Sequence, residues 1–120
     1  MKVYMAKAGR IGLVGLLLVL SGCASLFFNL APTPVNGEIR FAYRAPQAEA
    51  VYLVGSFNGW QVRVTPMERE RGDIWTVTIA LEPGRYEYMF VVDGKWVSDP
   101  NAPRTVDSGF GVKNGVIDVR

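Results

Sequence analysis

Apolar and polar side chains alternate along several short segments of this chain. Every second residue from Ile39 to Tyr43 is apolar, whereas Glu38 and Arg40 are charged. A period of two places the apolar residues on one face of an extended backbone, so the pattern predicts a β-strand with one buried side. No segment has a convincing helical period.

The same pattern predicts six strands, which are separated by Gly, Pro, Asn and Asp residues typical of turns. The strands cover residues 38–43, 50–55, 74–81, 86–92, 95–97 and 116–119. Residues 67–73 are expected to form an exposed turn of mixed charge, and residues 98–115 an irregular connection. Strands of this number and spacing predict an all-β fold, an immunoglobulin-like antiparallel β-sandwich.

Asp93-Gly94 is a two-residue hairpin signal, and it fixes which nearby side chains share a face. With that turn, Val91 lies opposite Trp96, and paired residues point to the same side of a sheet. Trp96 therefore falls on the side of Met89, opposite to the row that contains Tyr88. Because we take the Tyr88 row as core, the pattern predicts a tryptophan on the outer surface of a sheet.

The other two tryptophans have different settings. Trp75 is in phase with Val77 and Ile79, which predicts that it is buried in the core. Trp60 follows the turn residues Asn58-Gly59, so it stands at or just after a loop. Its ring either lies on the surface or folds back over the edge of the core, and the residues alone favour neither. Exposed flat apolar side chains usually mark a binding site.

The N-terminus has the three parts of an export signal. A basic start with Lys2, Lys7 and Arg10 precedes the apolar residues 11–20, and small residues follow. The segment Leu20-Ser21-Gly22-Cys23 resembles a bacterial lipobox.

That resemblance implies that the chain is cut before Cys23 and that the Cys23 sulfur carries an acyl chain such as palmitate. The mature protein would then be a lipoprotein of the bacterial cell envelope, tethered to a membrane by its N-terminal lipid. Ala24 follows the cysteine, where an Asp often signals retention in the inner membrane, so the outer membrane is the expected location.

Two other interpretations of the N-terminus stay open. The first is an uncleaved membrane anchor, since no charge occurs between Arg10 and Glu38 and about 20 apolar residues can span a bilayer. The Pro and Asn residues before Gly37 suit a tether better. The second is a buried or disulfide-bonded Cys23, although the chain contains no other cysteine to pair with it. The sequence thus predicts a signal peptide at residues 1–22, a tether at 23–36 and one small domain at 37–120.

The charge of the chain changes once the signal is removed. The 120 residues carry a net charge of +2, but loss of Lys2, Lys7 and Arg10 leaves ten basic and eleven acidic residues, a net charge of −1. A nearly neutral domain with no cluster of Lys or Arg lacks the electrostatic footprint of a nucleic-acid-binding protein. A neutral ligand or a protein partner fits better.

The residues also argue against an enzyme. The chain contains no histidine, and no serine has a plausible base. Glu68 and Glu70 are the closest acidic pair, but they lie in the predicted mixed-charge turn. We therefore expect no catalytic residue, no metal site and no cofactor.

Several motifs of the predicted domain occur together in the order of a known family. They are residues 51–60, which end in Asn58-Gly59-Trp60, then residues 86–96, which end in Asp93-Gly94-Lys95-Trp96, and Asp99-Pro100. Together they resemble the glycogen-binding domain of the AMP-activated protein kinase β subunit, a member of carbohydrate-binding module family 48. The resemblance covers about residues 38–119 and implies an early-set type of the immunoglobulin-like fold.

The resemblance also implies a site. In this family the glucan lies on tryptophans that match Trp60 and Trp96, an apolar residue matching Phe110 reaches the sugar from a loop, and an asparagine matching Asn114 hydrogen-bonds its hydroxyl groups. The family often has a lysine where this chain has Met89, so a polar contact is lost while the apolar surface grows. We expect weaker binding or an altered specificity.

Two functions follow as expectations. The first is a lipid-anchored, non-catalytic carbohydrate-binding module for α-1,4-glucan, such as glycogen, starch or maltodextrin, which recognises the sugar by aromatic stacking and works beside a separate α-glucan-active enzyme. The alternative is a structural or protein-interaction domain of the same fold that has lost sugar binding. Met89 favours the alternative, and the remaining site residues favour the first.

Overall fold

A computed structural model describes residues 30–120 of the chain. The predictions for residues 1–22 and for lipidation at Cys23 lie outside the described residues. The strands are β1 (Thr33–Val35), β2 (Glu38–Arg44), β3 (Val51–Gly55), β4 (Glu68–Arg71), β5 (Ile74–Ile79), β6 (Gly84–Val92), β7 (Lys95–Val97), β8 (Arg104–Asp107) and β9 (Lys113–Val119). A short 3-10 turn, Ser56–Asn58, follows β3. None of the helical segments in residues 30–120 is long and apolar enough to cross a membrane.

The strands form two antiparallel sheets. The first has the order β1-β2-β5-β4, and the second has the order β3-β6-β9-β8, with β7 paired to the end of β6. The predicted all-β antiparallel sandwich is therefore confirmed.

Large apolar side chains from both sheets fill the space between them. The largest with no exposed surface are Phe41, Leu53, Tyr88 and Phe90. Trp75 is only 7% exposed, and its indole nitrogen donates a hydrogen bond of 3.1 Å to the Ala45 carbonyl oxygen. The strand period thus predicted the core correctly, including Trp75. Burial of each such side chain contributes about 1.5 to 3 kcal/mol.

The hairpin of β6 and β7 has the predicted register. Val91 pairs with Trp96, and Phe90 pairs with Val97. Trp96 accordingly stands on the outer face of the second sheet and is 43% exposed. The same face carries a second, smaller apolar cluster of Val54, Met89 and Val91. These buried side chains form the apolar floor beside Trp96.

Four predicted boundaries need correction. The tether predicted at residues 23–36 includes β1, because Thr33–Val35 pairs with β2 through a tight turn at Asn36-Gly37. The mixed-charge turn predicted at residues 67–73 is mostly strand β4, an exposed edge whose Glu70 forms an ion pair of 2.5 Å with Arg40.

The connection predicted at residues 98–115 contains all of β8 and the start of β9. The predicted third strand, residues 74–81, ends at Ile79. Strand β8 and the longer β9 extend the second sheet and form a β8–β9 hairpin at the edge of the outer face, whereas the shorter β5 belongs to the first sheet.

Candidate functional site

A groove of about 670 Å³ lies on the outer face of the second sheet. Its apolar lining consists of Trp60, Met89, Trp96, Phe110 and Val112, and its polar lining of Glu87, Ser108 and Asn114. A mostly apolar concavity with a few polar side chains is typical of a small-molecule or oligosaccharide site. All five predicted site residues, Trp60, Met89, Trp96, Phe110 and Asn114, line this one groove.

Trp60 and Trp96 form the aromatic side of the groove. Their ring centroids lie 6.5 Å apart, and the ring planes are inclined by 30°. Trp60 packs against the outer-face cluster of Val54, Met89 and Val91, so its ring does not fold over the edge of the core. The two rings thus lie close together on the same face of the sheet.

Asn58 holds the loop that presents Trp60. Its side-chain oxygen accepts a hydrogen bond of 3.1 Å from the Gly55 amide, and its side-chain nitrogen donates to the Leu53 carbonyl oxygen at 3.1 Å and to the Thr65 hydroxyl at 3.0 Å. Trp60 itself has a φ of 60°, a strained value for a bulky residue. Such strain persists only where the surrounding contacts enforce it, and the Asn58 bonds supply that constraint.

Phe110 stands at the tip of the β8–β9 hairpin. It is 90% exposed and lies between Gly109 and Gly111, both with a φ of 86°. The Ser108 hydroxyl closes the turn, because it donates to the Val112 carbonyl oxygen at 2.6 Å and accepts from the Phe110 amide at 3.1 Å. A tight turn therefore holds an aromatic ring in solvent at the rim of the groove.

Asn114 supplies the amide at the base of the groove. It is only 8% exposed, and its side-chain nitrogen donates a hydrogen bond of 3.1 Å to the Glu87 carboxylate. The other carboxylate oxygen of Glu87 lies 3.3 Å from a guanidinium nitrogen of Arg85. Polar side chains thus line the groove beside the apolar wall.

Met89 lies on the floor of the groove and is 2% exposed. Neither Lys95 nor Lys113 is among the residues that line the groove, so neither supplies the polar contact that the resemblance implies for a lysine in place of Met89. Lys95 instead borders a smaller cavity beside Asp93 and Tyr43. The groove is therefore more apolar than the sequence resemblance implies.

Three groove residues were not among the predicted site residues. Glu87 shares its face with Met89 and Trp96 by strand alternation, but its pairing with Asn114 depends on the neighbouring strand. Val112 and Ser108 were not predicted as site residues because β8 and its hairpin were not predicted.

The groove has the features that pyranose sugars need. The C–H face of a sugar ring packs on flat aromatic surface, and its hydroxyl groups need fixed polar partners at the edge. The rings of Trp60 and Trp96 supply the flat aromatic surface, and Asn114 and Glu87 supply the polar partners.

Comparison with known proteins agrees with this geometry. The family model described as the glycogen recognition site of AMP-activated protein kinase matches residues 37–120. The 5'-AMP-activated protein kinase subunit beta-1 of Sus scrofa is 39% identical over 70 residues, which cover 58% of this chain and 54% of that protein. Subunit beta-2 of Homo sapiens is 37% identical over 70 residues, which cover 25% of it.

A plant protein is also similar. Protein PTST homolog 2, chloroplastic, of Arabidopsis thaliana is 38% identical over 63 residues, which cover 52% of this chain and 12% of that protein. This chain thus spans between an eighth and about half of the length of these relatives. Because the family model matches well over half of the chain, this protein belongs to the glycogen recognition family of AMP-activated protein kinase and contains a carbohydrate-binding module of that family.

Proposed function

We propose that this protein is a non-catalytic, lipid-anchored module that binds α-1,4-linked glucan, such as glycogen, starch or maltodextrin, at the bacterial cell envelope. The observation that carries the proposal is the paired platform of Trp60 and Trp96, whose ring centroids lie 6.5 Å apart above an apolar floor. Successive sugar units of one chain can stack on two rings at that spacing.

The expected affinity is modest. Stacking of a nucleic-acid base on an aromatic ring, worth about 1 to 3 kcal/mol, is the nearest measured analogue for one platform. Two or three platforms, less the ordering cost of a flexible ligand, give a Kd of about micromolar to millimolar. Weak single sites suit a polymer, because many tethered copies can hold one chain at once.

In this proposal, the lipid at Cys23 holds many copies of the protein on one membrane. Strand β1, the first strand of the described residues, lies at an edge of the first sheet, whereas the groove is on the outer face of the second. A tether that enters at β1 leaves the groove free to face a polymer. A separate α-glucan-active enzyme is the catalytic partner that this arrangement would serve.

Titration calorimetry tests the sugar binding. The full chain, in micelles of a detergent without a sugar headgroup, is titrated with maltoheptaose beside Trp60→Ala, Trp96→Ala and a control, Val64→Ala, whose exposed side chain lies outside the groove. We expect each tryptophan variant to lose about tenfold or more in affinity and the control to keep it. A folded parent that binds no sugar at millimolar concentration would favour the alternative, a structural or protein-interaction domain, which the apolar Met89 also favours.

Metabolic labelling with palmitate tests the anchor. The intact protein should incorporate label and Cys23→Ala should not, whereas equal labelling of both would refute a lipidated Cys23. An Ala24→Asp variant tests the location, because it should move from the outer-membrane fraction to the inner-membrane fraction.

A further inference from the structure

Within residues 30–120, Glu87 is the one charged residue that lines the groove. Its side chain is 31% exposed, and it contacts one group inside the groove and one outside it. One carboxylate oxygen accepts from Asn114, and the other lies 3.3 Å from Arg85, which does not line the groove. The residue therefore links the base of the groove to the surface beside it.

The bond to Glu87 fixes the orientation of the Asn114 amide. A carboxylate only accepts hydrogen bonds, so Asn114 must turn its nitrogen toward Glu87 and its oxygen away. Within the described residues, the Asn114 side chain makes no hydrogen bond other than the one to Glu87. Its amide oxygen thus has no partner, and since no buried side-chain oxygen or nitrogen of these residues lacks one, this oxygen is not buried. The amide oxygen is therefore accessible from the groove, where a sugar hydroxyl can donate to it.

The charge of Glu87 adds a second effect. Within residues 30–120 no lysine or arginine lines the groove to balance an anionic ligand, and the lining is mostly apolar, which strengthens the interaction between charges. An anionic group on a sugar would thus face a like charge at close range. A neutral hydroxyl group, in contrast, can donate to the carboxylate.

We infer that Glu87 determines the polar specificity of the groove: it positions Asn114 to receive sugar hydroxyls and makes the site select neutral glucans over glucans that carry carboxylate or phosphate groups. The inference rests on the proposed function and adds the class of ligand to it. Glu87 acts both as a positioning residue and as the source of the charge discrimination.

A comparison of two ligands tests the charge effect. The full chain is titrated with maltoheptaose and with maltoheptaose whose C6 groups are oxidised to carboxylates, at low and at high salt. We expect the parent to prefer the neutral sugar by about fivefold or more, with the preference falling as salt rises. Glu87→Gln should reduce the preference severalfold, and Arg85→Ala should increase it. Glu70→Gln, on the other sheet, is the matched control and should change neither affinity.

A double-mutant cycle on the neutral sugar tests the positioning role. Glu87→Ala and Asn114→Ala should each weaken binding, and the double variant should lose clearly less than the sum of the two single losses, because part of the effect of Glu87→Ala is exerted through Asn114. Glu87→Gln keeps an accepting oxygen, so it should retain the neutral affinity within about twofold. Thermal unfolding of each variant confirms that it is folded.

The possible failures are distinguishable. A parent that binds neither sugar overturns the proposed function, and this inference with it. A parent that binds both sugars equally, an unchanged preference in Glu87→Gln, or additive losses in the cycle overturn this inference alone.

Discussion

The hydroxyl group of Tyr88 donates a hydrogen bond of 2.5 Å to a carboxylate oxygen of Asp99 in the interior of the domain. Tyr88 has no exposed surface, and Asp99 is 3% exposed. The second oxygen of Asp99 accepts from the Asn101 amide at 2.8 Å. The pair thus ties the central strand β6 to the turn after β7, close to the strand that carries Trp96. Burial raises the pKa of Asp99, although both of its hydrogen bonds lower it.

The Tyr88–Asp99 pair predicts a loss of stability at alkaline pH. Burial, followed by the hydrogen bond and the charge of Asp99, raises the pKa of Tyr88 far above its ordinary value of 10.0. Above pH 10 the unfolded chain therefore releases this proton while the folded chain keeps it. The folded state then binds more protons, so the free energy of unfolding must fall as pH rises, by about 1.4 kcal/mol per pH unit for this group.

Tyr88→Phe isolates that effect. At pH 8 the variant should be less stable by about 1 to 3 kcal/mol, because it leaves a buried carboxylate oxygen without its donor. The difference from the parent should shrink between pH 10 and pH 11, as measured by urea unfolding. A difference that stays constant over this range would contradict the prediction.

Asn58→Ala should weaken sugar binding although Asn58 does not line the groove. The substitution removes all three hydrogen bonds that enforce the loop before Trp60, and it leaves the Leu53 carbonyl oxygen without its side-chain donor. We expect a loss of about 2 kcal/mol in the free energy of unfolding and about tenfold in affinity for maltoheptaose. Denaturant unfolding measures the loss of stability, and calorimetry measures the loss of affinity. Asn101→Ala, at an exposed turn, is the control; an Asn58 variant with lower stability but unchanged affinity would refute the positioning role.

Gly115→Ala should destabilise the domain by steric overlap. A methyl group at this position would lie 2.7 Å from two ring carbons of Tyr88 and 3.1 Å from the Ala102 side chain. The Tyr88 ring is fully buried and bonded to Asp99, so it has little freedom to move. We expect a loss of about 2 kcal/mol or more, measured by thermal and urea unfolding.

Gly109→Ala provides the comparison for Gly115→Ala. Open space surrounds a methyl group at Gly109, but its φ of 86° disfavours any side chain, so a smaller loss of about 1 kcal/mol is expected. Equal losses at the two positions would argue against the overlap with Tyr88.

Local patterns were enough to predict the core and the outer position of Trp96. The two-residue turn at Asp93-Gly94 fixes the register of its hairpin, and register fixes the faces. Asn36-Gly37 carries the same signal, but the short, proline-containing segment before it has no alternation to mark β1. Strand β8 was missed because three of its four residues are exposed.

The polar part of the site depends on pairings that no local pattern contains. Glu87 meets Asn114 because β6 pairs with β9, and these strands are not joined by a tight turn. One of the three Asn58 bonds likewise depends on where Thr65 lies in the folded chain. The hairpin register therefore predicted the outer position of Trp96, the family resemblance assigned Trp60, Phe110 and Asn114 to the site, and neither predicted the side-chain contacts that orient them.

Met89→Lys should strengthen glucan binding and lower stability. Met89 is 2% exposed on the groove floor, next but one to Glu87 on the same face of β6. A lysine there can lay its apolar stem on the floor and direct its ammonium group into the groove, where it donates to sugar hydroxyls. A hydrogen bond from a charged donor is worth about 1.5 to 3 kcal/mol, so we expect a gain of about tenfold in affinity for maltoheptaose, at a loss of about 1 kcal/mol in the free energy of unfolding. Met89→Leu conserves the apolar volume and should leave affinity within about twofold. The prediction fails if the lysine variant is folded and binds no better than the leucine variant, since the groove would then take its ligand without a polar contact at this position.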